Sequence, residues 1–414
     1  IGTFYRDSER LDHKARAQAY RAALEKLARR FPDDDEAKIF HALALLGTAP
    51  PADTTYAQQR RAAEILNPLI ERYPKHPGVA HYVIHSFDYP ELAELALPAA
   101  RAYAKIAPGS PHAQHMPSHI FTRLGLWRES IESNLESERS ANALVAKMHP
   151  GAASFDGLHA IDYVVYAYLQ IGEDEKAREA LERMAGATKF DEGNFVAGYA
   201  LAASPARYAL ERRAWSEAAR LERPAAKLPW ERAPYALANL HFARAIGAAR
   251  SGDLSLAKRE LGELESIHAV LAKSPPAGPY DWAGQVESLR LAAAGVLAKA
   301  EERTDEALTL LRRAADLQDR VGKHPVTPGE VLPARELLAD LLAEIGRPAE
   351  ALVEYEADLA SNPNRATALH GAARAAKAAG ETAKAQAFRQ RLAEQFRRDT
   401  PRVGFAEVMA ATGE

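Results

Sequence analysis

The chain has no cysteine among its 414 residues, which excludes disulfides, zinc–thiolate sites, iron–sulfur clusters and a thiolate nucleophile. Any metal ion would therefore need histidine, carboxylate or tyrosine ligands. Because cysteine-free proteins occur in oxidising and in reducing compartments, this absence does not locate the protein.

An excess of positive charge and long apolar runs are also missing. The 53 Lys+Arg and 56 Asp+Glu give a net charge of −3, so we predict no attraction to nucleic acid. No apolar run reaches the roughly 18 residues of a membrane span, and no basic-then-apolar leader is visible. Since the chain begins at Ile1 rather than Met, we expect that a leader or a longer N-terminal region preceded it.

The common catalytic signatures are absent too. The sequence contains no H-E-x-x-H, G-x-S-x-G, Walker A or dinucleotide-binding motif. No sequence motif therefore supports a conventional hydrolase, kinase or dehydrogenase function.

What the chain does have is helical periodicity. Apolar residues recur at spacings of three and four, which predicts a nearly all-α protein. Five turns share one pattern, in which a glycine separates two helical runs and a small residue follows about five positions later. Their glycines are Gly125, Gly172, Gly252, Gly346 and Gly380.

This pattern resembles the tetratricopeptide repeat, a helix–turn–helix unit of about 34 residues. The last two turn glycines are 380 − 346 = 34 residues apart, and the segments 211–221 and 299–311 look like copies without the glycine. The resemblance implies an all-α, right-handed superhelical solenoid, continuous over 1–414, with a histidine-rich groove in 76–170 and C-terminal repeats in 204–395. Irregular stretches break the period at 48–57, 148–157, 271–284 and 322–333. They are either loops that cover a binding surface or plain connections.

Histidines concentrate in one part of the chain, with eight of the 14 between residues 76 and 159. When Gly125 is set as repeat position 15, the positions that line a tetratricopeptide groove contain several histidines and two carboxylates. Helical residues three and four apart share a face, so these side chains would form stripes on neighbouring helices. The groove residues, which we predict to hold a transition-metal ion, are His81, His85, Asp88, His112, His115, His119, His159 and Asp162.

The sequence alone does not identify the metal or the reaction at this site. Imidazole ligands suit copper, iron or zinc, and the two carboxylates could either bind the ion or orient an imidazole. The protein could be an oxidative or hydrolytic metalloenzyme, or could bind metal without turnover. The alternative is a non-catalytic scaffold whose groove binds a peptide or partner protein.

Two further details have alternative interpretations. Pro117 lies within the presumed histidine helix, so it either kinks that helix or begins a new one. Arg207 and Arg335 could clamp a carboxylate or peptide terminus, or could form ion pairs between repeats.

Three blocks of the sequence are similar to a bacterial group of tetratricopeptide repeat proteins. They are "HPGVAHYVIHSFDYPELA" at 76–93, "HAQHMPSHIFTRLGLW" at 112–127 and "PGEVLPARELLADLLAEIGRPAEAL" at 328–352. The resemblance implies a periplasmic or exported protein, but it names no reaction and no catalytic residue.

Overall fold

The computed structural model describes residues 1–50, 53–192, 194–273 and 280–396, together with 402 and 405. In these residues, helices are joined by turns and loops, and the one β-type pairing is an isolated bridge between Ala153 and Phe190. The all-α prediction is confirmed. None of the described helices is long and apolar enough to cross a membrane.

The chain divides into two compact units, Ile1–Arg123 and Leu124–Glu414. In the first unit consecutive helices pack against each other, and the first helices of successive hairpins are also neighbours, because α5 contacts both α3 and α8. Its helices are α1 (Gly2–Tyr5), α2 (His13–Arg30), α3 (Asp35–Leu46), α4 (Ala57–Arg72), α5 (Pro77–Phe87), α6 (Ala93–Ile106), α7 (Pro111–His115) and α8 (Pro117–Arg123).

The second unit continues the hairpin pattern and includes a short 3₁₀ helix at Trp230–Arg232. The predicted continuity of one solenoid over 1–414 stays a prediction. The α-helices of this unit are α9 (Trp127–Met148), α10 (Phe155–Gln170), α11 (Asp174–Ala185), α12 (Phe195–Glu211), α13 (Trp215–Ala219), α14 (Pro234–Ser251), α15 (Leu254–Lys273), α16 (Trp282–Ala300), α17 (Thr304–Val321), α18 (Ala334–Glu344), α19 (Pro348–Ser361), α20 (Ala366–Ala378) and α21 (Thr382–Gln395).

The hairpin turns use the left-handed backbone conformation whether or not glycine is present. All five predicted turn glycines have positive φ, from 64° at Gly125 to 86° at Gly252. The two turns without glycine place Arg213 and Glu302 in the same region, with φ of 55° and 64°. A side chain there brings Cβ close to the following carbonyl oxygen, so these two turns store strain that the glycine turns avoid.

We therefore expect opposite stability changes from two matched substitutions. Gly380→Ala should lower the free energy of unfolding by about 1 kcal/mol, because a Cβ at Gly380 meets no neighbouring atom and only the φ of 81° opposes it. Glu302→Gly at an exposed turn should raise it, by up to about 1 kcal/mol. Urea denaturation of both variants would measure this, and equal effects of the same sign would contradict the argument.

The first helices of the hairpins in the second unit close into a ring. Each of α10, α12, α14, α16 and α18 contacts the next one in the series, α18 contacts α20, and α20 returns to contact α10. The closure is also visible in single bonds: Trp127 Nε1 donates to the Asn364 carbonyl oxygen at 2.9 Å, and the Ala366 amide donates to Gln170 Oε1 at 2.9 Å. At Gly125 a Cβ would lie 2.3 Å from the Pro363 carbonyl oxygen, so this closing turn has no room for a side chain.

A fully buried ion-pair network lies where the ring closes. Arg365 donates through Nε to Glu336 Oε2 at 2.7 Å and through Nη1 to Glu211, so it links α18, α12 and the start of α20. Asp358 is 2% exposed, and its pKa is raised to about 7, chiefly by burial. Asp340, by contrast, keeps a lowered pKa because Arg213 and the Tyr355 hydroxyl hydrogen-bond to its carboxylate.

The raised pKa of Asp358 predicts that the free energy of unfolding depends on pH. Because the folded state keeps a proton up to about pH 7 while the unfolded carboxyl loses it near 4, stability falls as the pH rises from about 4 to above 7. Asp358→Asn should remove this loss, so its melting temperature should exceed that of the parent protein at pH 8 and match it near pH 4. Asp340→Asn is the matched control, and it should lower the melting temperature at both pH values. A parent-like pH profile for Asp358→Asn would contradict the assignment.

Candidate metal centre

Five histidines of the first unit form a continuous line of rings, named here the imidazole row. The ring centroids of successive members are 4.9, 4.7, 6.5 and 4.9 Å apart. In spatial order the members are His112, His81, His85, His119 and His115.

Helix α5 supplies two members of the row. It begins with His76 as its N-cap and Pro77 as its first residue, a pair that fixes its start. His81 and His85 follow one turn apart, and their Nε2 atoms are 3.0 Å from each other. The two rings therefore lie on one face of this helix.

Pro117 divides the other histidine helix in two. Ser110 caps α7 and Pro111 is its first residue, α7 ends at His115, and α8 begins at Pro117. This matches the second of the two interpretations of Pro117, in which the proline begins a new helix. The interruption does not separate the imidazoles, since the Nε2 atoms of His115 and His119 are 3.0 Å apart.

His112 lies at the exposed end of the row and takes its partner from the other helix. Its Nε2 is 3.1 Å from Nε2 of His81. At the opposite end the side chains are enclosed, with His115 3% and His119 5% exposed. The row therefore runs from an exposed histidine to buried ones.

A carboxylate orients the buried end. Asp88 Oδ2 is 3.0 Å from Nδ1 of His119, so this nitrogen carries the hydrogen and donates it. The Nε2 lone pair of His119 then points toward His115. Arg123 holds the carboxylate in place, because its Nε donates to Asp88 Oδ1 at 2.9 Å and its Nη2 donates to the Asp88 carbonyl oxygen at 3.0 Å.

The electrostatics keep the outer imidazoles neutral. Burial, reinforced by repulsion from neighbouring imidazoles, lowers the pKa of His81 to about 3 and that of His85 to about 4. The pKa of His112 is lowered for the same reasons. At neutral pH these rings carry lone pairs that are available to a metal ion.

The other two predicted ligands belong to the second unit. His159 is half-buried on α10, and its ring meets Tyr163 edge-on at 5.4 Å. Asp162 is 1% exposed and accepts a hydrogen bond from the Ser204 hydroxyl at 2.8 Å, with the Arg207 Nε 3.8 Å away. Its carboxylate thus serves the packing of α10 against α12.

The two arginines with alternative interpretations are both engaged within the second unit. Arg335 pairs with Asp319 and Glu354, which favours the ion-pair interpretation. Arg207 is fully buried and donates to the backbone carbonyl oxygens of Gly329 and Glu330. These carbonyls belong to the irregular stretch 322–333, which therefore lies against α12. Part of another stretch, residues 274–279, lies outside the described residues.

Sequence reasoning missed the supports of the row. Neither the role of Arg123 nor the stacking of His81 on Tyr103, with ring centroids 5.5 Å apart, was predicted. A basic residue one helical turn after His119 was the available signal for Arg123, since helical residues four apart are neighbours.

The hairpin architecture defines an all-α helical-repeat protein. No protein-family model matches the chain, and no curated protein matches it in sequence. Among solved structures, it is similar to an IFIT1 monomeric mutant with Gppp-AAAA, at 13% identity and a TM-score of 0.41, over 92% of this chain and 77% of that one.

Two other solved structures show a similar level of likeness. A chain of the APC/C hetero-tetramer Cut9–Hcn1 is 14% identical, with a TM-score of 0.36 over 96% of this chain and 67% of that one. Yeast Tom70 is 11% identical, with a TM-score of 0.33 over 95% and 96%. Likeness at this level carries no argument about the site.

Proposed function

We propose that the imidazole row binds a transition-metal ion at its buried end. The supporting observation is the arrangement Asp88–His119–His115, in which a carboxylate fixes the tautomer of one imidazole and turns its lone pair toward the next. Carboxylates commonly orient ligating histidines in this way. Of the two roles predicted for Asp88, the geometry favours orientation over direct ligation.

The choice of metal follows from the donor set only in part. Neutral imidazoles suit copper, iron and zinc, and the chain offers no thiolate that would favour one of them. His81, His85 and His112 continue the row toward the surface. The participation of His159 and Asp162 stays a sequence-based prediction, and the proposal covers metal binding without naming a reaction.

The same proposal includes the origin and location implied by the sequence blocks. The residues 76–93 and 112–127 contain all five members of the row, together with Asp88 and Arg123. We therefore assign the chain to the bacterial tetratricopeptide group that has these blocks, and place it in the periplasm or outside the cell. Fractionation of the native host would test the location.

We expect about one transition-metal ion per chain to be retained at neutral pH. His119→Ala should abolish or strongly weaken this retention with helicity unchanged, since removing even an outer partner of a ligand costs about 10–100-fold in affinity. His241→Ala is the control, because His241 lies in the second unit and pairs with Glu260 at 2.7 Å. Elemental analysis of untagged protein and circular dichroism would measure both quantities.

Two results would contradict the proposal. One is a metal-free protein that also fails to bind zinc or copper in calorimetry. The other is full metal retention in His119→Ala, or unfolding of this variant, which would identify His119 as a structural residue.

The scaffold alternative makes a different prediction about pH. An acidic peptide bound through imidazolium groups would gain affinity as the pH falls through about 6.5, the ordinary pKa of histidine. The pKa values of about 3 and 4 for His81 and His85 oppose such binding at pH 5.5, because both rings stay neutral there.

Metal and peptide should therefore separate in a parallel titration over pH 4–8. Retained metal should be present at pH 7 and released toward the acidic end, since protons compete for the ring nitrogens. A fluorescent acidic peptide should show no gain in affinity between pH 7 and 5.5. A gain at pH 5.5 in protein that holds no metal at any pH would favour the scaffold.

A further inference from the structure

His81 lies at a junction of three imidazoles that hydrogen bonds cannot fully satisfy. Its Nε2 is 3.0 Å from Nε2 of His85 and 3.1 Å from Nε2 of His112. A neutral ring nitrogen carries either one hydrogen or one lone pair, so it makes one good in-plane hydrogen bond. One of the two contacts is therefore left without a hydrogen bond.

A shared metal ion would satisfy both contacts. Nitrogens bound at about 2.0–2.1 Å to one ion are roughly 2.8–3.4 Å apart for bond angles between 90° and the tetrahedral value. The two distances at His81 lie within that range. The pair His115 and His119 differs, because a single hydrogen between their Nε2 atoms can satisfy that contact.

We infer that His81, His85 and His112 form a second metal subsite, separate from the buried one at His115 and His119. The inference rests on the proposed metal-binding function and deepens it. It means that the row holds two ions when metal is in excess, and His85 is the outer ligand nearest the buried subsite, with its ring centroid 6.5 Å from that of His119.

The two subsites differ in exposure and in support. His112 is exposed, whereas His115 and His119 are buried, so the outer ion should exchange with solvent faster than the inner one. The outer subsite is nevertheless built, because His81 stacks against Tyr103 at 5.5 Å with an interplanar angle of 11°. Tyr82 stacks on the same imidazole at 5.6 Å.

Zinc titration of the metal-free full chain against a chromophoric chelator would test the inference. The parent protein should bind two Zn²⁺ per chain with distinct affinities. His112→Ala and His81→Ala should each weaken the second equivalent at least about 10-fold and leave the first unchanged, while His119→Ala should weaken the first. His268→Ala, at a half-exposed histidine of the second unit, is the control and should change neither.

A chelator chase of the zinc-loaded protein gives an independent readout. The parent protein should release zinc in a fast and a slow phase, and His112→Ala should lose the fast phase alone. Circular dichroism would verify that each variant is folded.

The outcomes distinguish this inference from the function on which it rests. A protein that binds no zinc overturns both. A protein that saturates at one Zn²⁺, or whose second equivalent survives both His112→Ala and His81→Ala, overturns the second subsite and leaves the buried site standing. Loss of the second equivalent in His268→Ala would also overturn it, by assigning the weaker ion elsewhere.

Discussion

The arrangement of the candidate site depends on one buried carboxylate. Asp88 follows directly after α5, and its two oxygens bind His119 and Arg123, both on α8. Removing a charge from water is costly unless partners replace the lost hydrogen bonds, and Arg123 supplies both the opposite charge and two donors. The ion pair therefore positions α8 against the end of α5, and the imidazoles on the two helices come together as a consequence.

Pro117 acts together with this constraint. An uninterrupted helix would place His112, His115 and His119 within a 60° fan on one face. The helix is interrupted at Met116, and on the two sides of the break His112 pairs with His81 while His115 pairs with His119. This outcome agrees with the general position of prolines at the first residue of a helix.

Much of this could be predicted from the sequence because it depends on local spacing. The pair His81 and His85 follows from the helical repeat, and the left-handed turns follow from the glycines. Arg213 and Glu302 have the same left-handed conformation, but no glycine in the sequence indicates it. Ring closure in the second unit could not be predicted either, because the repeat period contains no information about the small rotation between successive repeats. Arg365 and Glu211 become partners only through that closure, and neither residue has a distinctive spacing in the sequence.

The two units differ in the partners of their buried polar side chains. In the second unit, each major buried charge faces one of opposite sign on a neighbouring helix, as Asp162 faces Arg207 and Glu211 faces Arg365. Such pairs neutralise each other and stabilise the packing of the helices. In the first unit Asp88 and Arg123 form one such pair, but the outer imidazoles face each other. Groups of the same kind gain little from one another at neutral pH, where the outer rings are uncharged. Burying the outer imidazoles costs desolvation, and the hydrogen bonds among them offset it only in part, because Nε2 of His81 can satisfy only one of its two neighbours and the matching gain at the other is missing. A cation that accepts several lone pairs at once would supply that gain, which is the physical reason for assigning function to the row rather than to the larger unit.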